Sequence, residues 1–257
     1  MPFTFRRPPG PVVVMYHSVT AHAPTDPFAV SRQDFGVQIA WLLEAGYDIV
    51  PLPSLVKALA AGDPALRGQA VVTFDDGYQD VLEEAVPVLE DFGVPATVFL
   101  VTGMLGGRAT FNCHSPDARL MDEDDVRSIR SCGIGLGSHT HSHANLPLLE
   151  PGALRAELEM SREALIGLGE TFLSLSYPWG KYAARETRAA RDAGYACALE
   201  VNSRPAAGSD PYSIARFGVT RDLDLKGFSR MIAPPFTDVL TRKAKSASRL
   251  CKLHFGL

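Results

Sequence analysis

Along this chain, segments with the apolar pattern of β-strands alternate with segments whose apolar residues recur at helical spacing. Short β-branched and aromatic runs predict eight strands, near 11–17, 47–51, 70–76, 95–102, 134–140, 173–179, 195–200 and 213–220. Helical periodicity predicts seven helices between and after them, near 31–45, 53–61, 79–92, 122–131, 151–167, 183–193 and 224–232. This alternation is typical of βα units built around a parallel sheet.

The strand segments VVVMY, AVVTF and TVFLV are apolar on both faces. Such strands are expected where helices cover the outside of a sheet and side chains fill its inside. We therefore expect an α/β fold: a single-domain, distorted (β/α) barrel of seven or eight mostly parallel strands. No repeat, low-complexity linker or charge block divides the chain, so we interpret 1–10 as an N-terminal arm, 11–235 as the one catalytic domain and 236–257 as a basic C-terminal tail.

Composition excludes some classes of function. The formal net charge of −4 argues against a nucleic-acid partner, because nucleic-acid-binding proteins usually carry a basic excess. The four cysteines are widely spread and form no C-x-x-C pair, which favours free thiols in a reducing compartment. The apolar run near the N-terminus is only VVVMY, too short for a signal peptide or a membrane anchor. A cytoplasmic location is the expectation.

Polar clusters that carry chemistry stand where predicted strands end. Residues 71–80 read VVTFDDGYQD, with Asp75 and Asp76 side by side although their charges repel. An Asp-Gly turn explains one of the two carboxylates but not both. Neighbouring residues on a regular strand point to opposite faces, so both carboxylates reach one pocket only if the strand ends between them, and Gly77 is the expected break.

A second cluster, SHTHSHANL at 138–146, contains three of the seven histidines in the chain. Histidines at this density after an apolar strand favour a metal site. On a continuing strand His139 and His141 share a face, whereas in a helix-like coil His139 and His143 do. Two imidazoles and one carboxylate are a common catalytic zinc set with an open fourth position. One aspartate would then complete the set, and the other would accept a proton from water.

These two motifs, TFDDG and HTHSH, together resemble the signature of the polysaccharide deacetylases. That family has the NodB-homology fold of carbohydrate esterase family four, and the likeness extends from the MYHS stretch to about residue 220. The Tyr-His pair in VVVMYHSV is similar to the branch of the family that has this pair on its first strand. The resemblance covers most of the chain.

The resemblance implies a role for each matching residue. Asp75 corresponds to the catalytic base and Asp76 to a metal ligand. His139 and His143 correspond to the two histidine ligands, which leaves His141 as a loop residue. The implied cofactor is one divalent metal, zinc in the first place, with cobalt or nickel able to substitute.

The third family motif, R-x-P-[FY], corresponds here to Ser176, Tyr177, Pro178 and Trp179. The resemblance implies that Trp179 offers its backbone N–H to the developing oxyanion and its ring to the sugar, although core packing would also suit a tryptophan. It also implies that Tyr177 and Pro178 lie beside the oxyanion and the substrate. Serine replaces the motif arginine. We expect Arg216 to hydrogen-bond the catalytic aspartate instead, with a solvated or structural arginine as the alternative.

The proton donor is a choice between two histidines. Many family members take it from a late Leu-His motif, for which the only match is His254 in the C-terminal KLHFGL. The Tyr-His branch makes His17 the better candidate, against the alternative of a buried structural histidine.

The expected function is metal-dependent removal of an N-acetyl group from an amino sugar or glycan, which includes lipid-linked and nucleotide-linked sugars. Hydrolysis of another amide, such as an N-formyl group or a cyclic imide, and a non-catalytic carbohydrate-binding relic are the alternatives. A glycosidase pair is disfavoured because glycosidases separate their carboxylates and usually use no metal. Residues 240–257 carry basic residues and no acidic one, so they are either a docked terminal helix or a segment that contacts anionic membranes.

Overall fold

The computed structural model of the protein describes residues 10–22, 24–201, 206 and 210–233. Most of the predicted N-terminal arm and all of the predicted C-terminal tail, including His254, therefore lie outside the described residues. Among the described residues, no helix has both the length and the apolar character needed to cross a membrane.

A parallel sheet forms the centre of the fold. Its strands, in spatial order, are β10 (Phe217–Gly218), β1 (Val12–Tyr16), β5 (Gln69–Phe74), β6 (Thr97–Leu100), β7 (Gly135–Ser138), β8 (Ser174–Ser176) and β9 (Cys197–Leu199). A short strand, β4 (Asp48–Ile49), pairs with the start of β5, and every pairing in this sheet is parallel. The sheet curves into a half-barrel, which confirms the predicted α/β class. An isolated parallel bridge between Leu199 and Ile214 brings its two edges together without a continuous ladder.

Among the described residues, seven α-helices surround the sheet at the predicted places. They are α1 (Arg32–Glu44), α2 (Leu52–Ala61), α3 (Val86–Phe92), α4 (Glu123–Ser131), α5 (Pro151–Gly167), α6 (Ala184–Asp192) and α7 (Leu225–Ile232). The one departure is the predicted helix at 79–92, which begins as a π-helical turn, Val81–Ala85, before it becomes α3. Single π-helical turns of this kind often occur near functional sites.

A small second sheet was not predicted. Its strands, β2 (Ser18–Thr20) and β3 (Ala29–Ser31), pair in parallel immediately after β1. Three residues are too few for a period of two to be recognised in the sequence. The eight predicted strands all prove shorter than expected, above all 47–51, which contains only β4, and 213–220, which contains only β10.

Apolar side chains are buried on both faces of the sheet, as the continuous apolar strands predict. On β1, Val12 and Val14 belong to the larger hydrophobic cluster, whereas Val13 belongs to a second one. On β5, Val72 and Val71 divide in the same way. Because the sheet is parallel, the carboxyl ends of its strands lie along one edge, and the loops that follow them meet there.

Candidate metal centre

The turn after β5 brings both aspartates to this edge. Asp75 continues the sheet, since its N–H donates to the Tyr16 carbonyl oxygen at 2.9 Å. Asp76 then has a left-handed φ of 72°, and Gly77 follows with a φ of 77°. The predicted break at Gly77 thus begins one residue earlier, because the left-handed backbone of Asp76 itself ends the strand alternation. Glycine is favoured at position 77, since its φ is left-handed and a Cβ there would lie 2.8 Å from Cδ2 of Leu100.

The histidine loop follows β7 and coils away from the strand direction. His139 still donates its backbone N–H to Leu100 at 2.7 Å, but Thr140 and His143 have left-handed φ values of 66° and 58°. For a β-branched residue such as Thr140 this conformation is strained, by about 1–3 kcal/mol. The coil brings the rings of His139 and His143 to 4.9 Å. His141 turns away, and its Nδ1 lies 3.3 Å from the Thr102 hydroxyl.

Three side chains from these two turns form one buried cluster. Oδ1 of Asp76 lies 3.3 Å from Nε2 of His139 and 3.4 Å from Nε2 of His143. One ligand atom of each residue lies within 4.8 Å of the others. Within the described part of the chain, Asp76 Oδ1, which faces both imidazoles, is buried without a hydrogen-bond partner. Two imidazoles around an unsatisfied buried carboxylate oxygen fit a divalent metal such as zinc.

The tautomer of His139 also suits a metal ligand. Its Nδ1 lies 3.0 Å from the Ser176 carbonyl oxygen, so the ring donates there and leaves Nε2 free to accept. Burial lowers the pKa of His139 to about 4, which keeps the ring neutral at physiological pH. A neutral imidazole is the form that ligates metals.

Asp75 faces a different partner. The Nη1 and Nη2 atoms of Arg216 each donate to one of its carboxylate oxygens at 2.7 Å. Ser176 joins the pair, because its hydroxyl accepts from Nη2 at 2.7 Å and donates to Asp75 Oδ2 at 3.0 Å. Burial by itself raises the pKa of Asp75, but the charge of Arg216, then that of His139 and the Arg216 hydrogen bonds, hold it well below its usual range. The carboxyl group is therefore ionised.

The structure thus shows which arginine contacts Asp75 when the arginine of the R-x-P-[FY] motif is missing. Ser176 occupies the place of the motif arginine, and Arg216, which lies just before β10, extends its guanidinium to Asp75 as expected. Its Nε and Nη1 donate further to the Glu200 carbonyl oxygen at 3.2 Å and the Thr73 hydroxyl at 3.3 Å. Arg216 is fully buried, so the alternative of a solvated arginine is wrong.

His17 is close to this pair of aspartates. Burial raises the pKa of Asp76, while its contact with His143 and then the charges of His139 and His17 bring it below its ordinary value. The Nδ1 atom of His17 is buried without a hydrogen-bond partner among the described residues. Its ring packs against the half-exposed ring of Phe28, with centroids 5.2 Å apart.

Two aromatic rings flank His143. Trp179 lies edge-on to it at 4.8 Å and remains 56% exposed, so it does not pack in the core. Phe111 stacks on the same imidazole at 4.0 Å. The sequence offered no sign of Phe111, which belongs to an irregular loop before α4 and to no motif. Both rings therefore contact the Asp76–His139–His143 cluster through His143.

The remaining two residues of the SYPW motif do not face the cluster. Tyr177 is only 1% exposed, and its hydroxyl donates to the Tyr212 carbonyl oxygen at 3.0 Å. Its N–H is occupied by the Leu199 carbonyl oxygen at 3.2 Å. Pro178 is buried and begins the turn in which Trp179 has a left-handed φ of 62°. The side chains of Tyr177 and Pro178 therefore shape the turn that presents Trp179, and contact of either residue with the oxyanion or the substrate stays a prediction.

Comparisons with known proteins agree with this geometry. The model of the polysaccharide deacetylase family matches residues 63–198, which is more than half of the 257-residue chain. YxkH of Bacillus subtilis, whose name places it among the polysaccharide deacetylases, is 25% identical over 224 residues, or 86% of this chain and 75% of that protein. The poly-β-1,6-N-acetyl-D-glucosamine N-deacetylase of Escherichia coli K12 is 31% identical over 154 residues, or 56% of this chain and 23% of its own length. The deacetylase PplD of Streptococcus pyogenes, solved in complex with acetate, has a TM-score of 0.74 at 20% identity and covers 88% of this chain and 100% of that one.

Proposed function

We propose that this chain, which belongs to the polysaccharide deacetylase family, is a metal-dependent hydrolase that removes the N-acetyl group from an amino sugar and releases acetate. One observation carries the proposal: a buried Asp76–His139–His143 cluster lies next to a second carboxylate, Asp75, that is held ionised. A ligand set beside a separate base is what metal-assisted amide hydrolysis needs.

The donor set favours zinc, with cobalt or nickel as substitutes, because it combines two neutral imidazoles with one carboxylate. A divalent ion held by Asp76, His139 and His143 would polarise the acetyl carbonyl and acidify a water molecule. The charge of the ion would also offset the repulsion between the two adjacent carboxylates.

Asp75 would accept a proton from the attacking water. Its low pKa makes it a weak base, so it can act only on a water that has already been acidified, which is a reason to expect metal dependence. Oδ2 of Asp75 accepts from both Arg216 Nη2 and the Ser176 hydroxyl, whereas Oδ1 accepts only from Arg216 Nη1 and so retains a lone pair for the proton of the water. The water oxygen bonds to the carbonyl carbon as its proton passes to Asp75.

Collapse of the tetrahedral intermediate breaks the C–N bond, and the amine leaves only if its nitrogen is protonated. We propose His17 as the donor of that proton, since its charge acts on both aspartates. His254 lies outside the described residues and remains the alternative. The backbone N–H of Trp179 would donate to the oxyanion, and its exposed ring would contact the sugar.

Relatives suggest the substrate class. The Escherichia coli and Staphylococcus epidermidis proteins named as poly-β-1,6-N-acetyl-D-glucosamine N-deacetylases are matched over 23% and 50% of their own lengths. We therefore propose an N-acetylated hexosamine, in a glycan or linked to a lipid or nucleotide, as the substrate. A cytoplasmic location, and contact of residues 240–257 with a membrane, are part of the same proposal.

The test is release of acetate by the purified full-length chain. Metal-free protein reconstituted with zinc or cobalt should release acetate from N-acetylglucosamine oligomers, and chelation should abolish the release. N-formyl sugars and cyclic imides, assayed in parallel, test the alternative amide substrates. If the zinc-loaded protein binds the oligomers but hydrolyses none of these substrates, the chain is a carbohydrate-binding relic and the proposed function is wrong.

A further inference from the structure

We propose that Asp80 is a positioning residue for His17: it fixes the chain immediately after His17 and so holds the imidazole over the paired aspartates. The inference rests on the proposed function, because it assigns Asp80 a part in the same reaction. The contacts that support it lie outside the Asp76–His139–His143 cluster and outside the Asp75–Arg216 pair.

Asp80 stands where an aspartate usually caps its own helix. It immediately precedes the π-helical turn Val81–Ala85, yet its side chain makes no capping hydrogen bond there. Instead the carboxylate reaches across 62 residues of chain, and its Oδ2 accepts a short hydrogen bond from the Ser18 hydroxyl. Its Oδ1 lies 3.4 Å from the N–H of Val19. The Asp80 side chain therefore hydrogen-bonds to β2 and does not cap the π-helical turn that follows it.

His17 depends on its chain neighbours for its orientation. It is the single residue between β1 and β2, so its backbone is fixed from both sides. On the β1 side, the Tyr16 carbonyl oxygen accepts from the N–H of Asp75. On the β2 side, the fixed point is Ser18, which Asp80 holds. A catalytic imidazole is commonly oriented by a partner on its second nitrogen, but Nδ1 of His17 has none among the described residues.

The contact places the Asp80 carboxyl group in an unfavourable electrostatic environment. Burial raises the pKa of Asp80 to about 7, although the hydrogen bonds from Ser18 and Val19 act to lower it, and the charges of Glu83 and Glu84 raise it further. A half-buried carboxyl next to two other acids weakens the fold where it lies. Strand β2 contains three residues, and within the described ranges it pairs with β3 alone. Asp80 therefore joins a short strand to the turn that follows the paired aspartates.

Loss of this tie should affect the chemical step more than substrate binding. Small displacements of a catalytic group cost turnover steeply, so Asp80→Ala should lower kcat on the order of tenfold and change KM little. Asp80→Asn keeps one acceptor oxygen and should lose less. Ser18→Ala removes the same hydrogen bond from the other side and should resemble Asp80→Ala. The zinc content of all three variants should be unchanged.

A double-mutant cycle separates positioning from a general structural role. If Asp80 acts through His17, then Asp80→Ala should cost nothing further in a His17→Ala background. Glu83→Ala is the matched control, because it removes an exposed acidic side chain from the same turn and leaves both Asp80 hydrogen bonds to β2 in place, so it should leave kcat unchanged. Asp80→Ala losing the same factor with and without His17 would overturn the inference and leave the proposed function intact.

A readout that needs no activity completes the test. Hydrogen exchange followed by mass spectrometry should show faster exchange of the peptide that spans residues 17–20 in Asp80→Ala and in Ser18→Ala, but not in Glu83→Ala. Unchanged protection of that peptide in both variants would overturn the inference, whatever the substrate proves to be. If Asp80→Ala fails to fold, Ser18→Ala and Asp80→Asn carry the same comparison. Absence of any hydrolysis by the zinc-loaded wild type would count against the proposed function and not against the tie.

Discussion

Replacement of Arg216 by methionine should destabilise the protein strongly at neutral pH. Arg216 is fully buried and makes two hydrogen bonds of 2.7 Å to Asp75, one of 2.7 Å to Ser176 and two longer ones. Methionine fills much of the same volume but leaves the Asp75 carboxylate buried without its counter-charge. Breaking a buried ion pair in this way costs about 3–5 kcal/mol of unfolding free energy.

The pH dependence of this loss has a definite sign. In the wild type, the pKa of Asp75 lies below its ordinary value of 3.8, so the carboxylate stabilises the fold above that pH and ceases to do so as the pH falls through its lower folded-state pKa. In Arg216→Met, burial acts without the guanidinium and raises the pKa of Asp75 instead. The ionised group then destabilises the fold at neutral pH, and protonation relieves this cost. The difference between the two proteins should therefore shrink from pH 7 towards pH 4.

Urea unfolding of chelator-treated protein, followed by circular dichroism at pH 7 and pH 5, measures both effects. Arg127→Met is the matched control, because Arg127 also forms ion pairs, with Glu123 and Asp124, but is largely exposed. Exposed pairs contribute about 0–1 kcal/mol, so this variant should lose little. A loss in Arg216→Met no larger than in Arg127→Met, or a difference that grows on acidification, would refute the reasoning.

Three further predictions concern the reaction and the tail. Asp75→Asn should keep its zinc and lose turnover by roughly 10²–10⁴, the usual range for removal of a general base, and near-normal kcat with bound zinc would contradict that role. His17→Ala should lower kcat with zinc retained, whereas truncation before His254 should not; the reverse result would transfer the acid to the C-terminus. Full-length protein should sediment with anionic vesicles at low salt and less as salt rises, and removal of 240–257 should abolish binding. A full-length protein that ignores anionic vesicles at low salt would exclude membrane contact by the tail.

Sequence patterns predicted the helices and the position of the site because both depend on local signals. Amphipathic spacing located all seven helices, and TFDDG and HTHSH marked the ends of β5 and β7, where loops after parallel strands meet. From the residues alone, either His141 or His143 could have been the second histidine ligand beside His139. The coil at Thr140 brings His143, and not His141, beside His139. The left-handed conformation of Thr140 cannot be predicted from residue propensity. Tertiary contacts stabilise it, such as the hydrogen bond from the Thr102 N–H to the Thr140 carbonyl oxygen.

Long-range contacts were harder to predict. Arg216 is 141 residues from Asp75, so its pairing could be inferred only because the motif arginine is missing. Phe111 and Asp80 carried no motif of their own. Asp80 would be interpreted locally as a helix cap, and only the packing of β2 beside the π-helical turn reveals its actual partner, Ser18.

The central claim is that Asp76, His139 and His143 hold the metal on which hydrolysis depends. The most direct measurement is zinc content by mass spectrometry after equilibrium dialysis of the wild type, His139→Ala, His143→Ala and His141→Ala. His141 is a matched control in the same loop, since it contacts Thr102 instead of the cluster. We expect one zinc per chain in the wild type and in His141→Ala, and loss of zinc in the other two variants. Full zinc occupancy in His139→Ala or His143→Ala, or its loss in His141→Ala alone, would contradict the account.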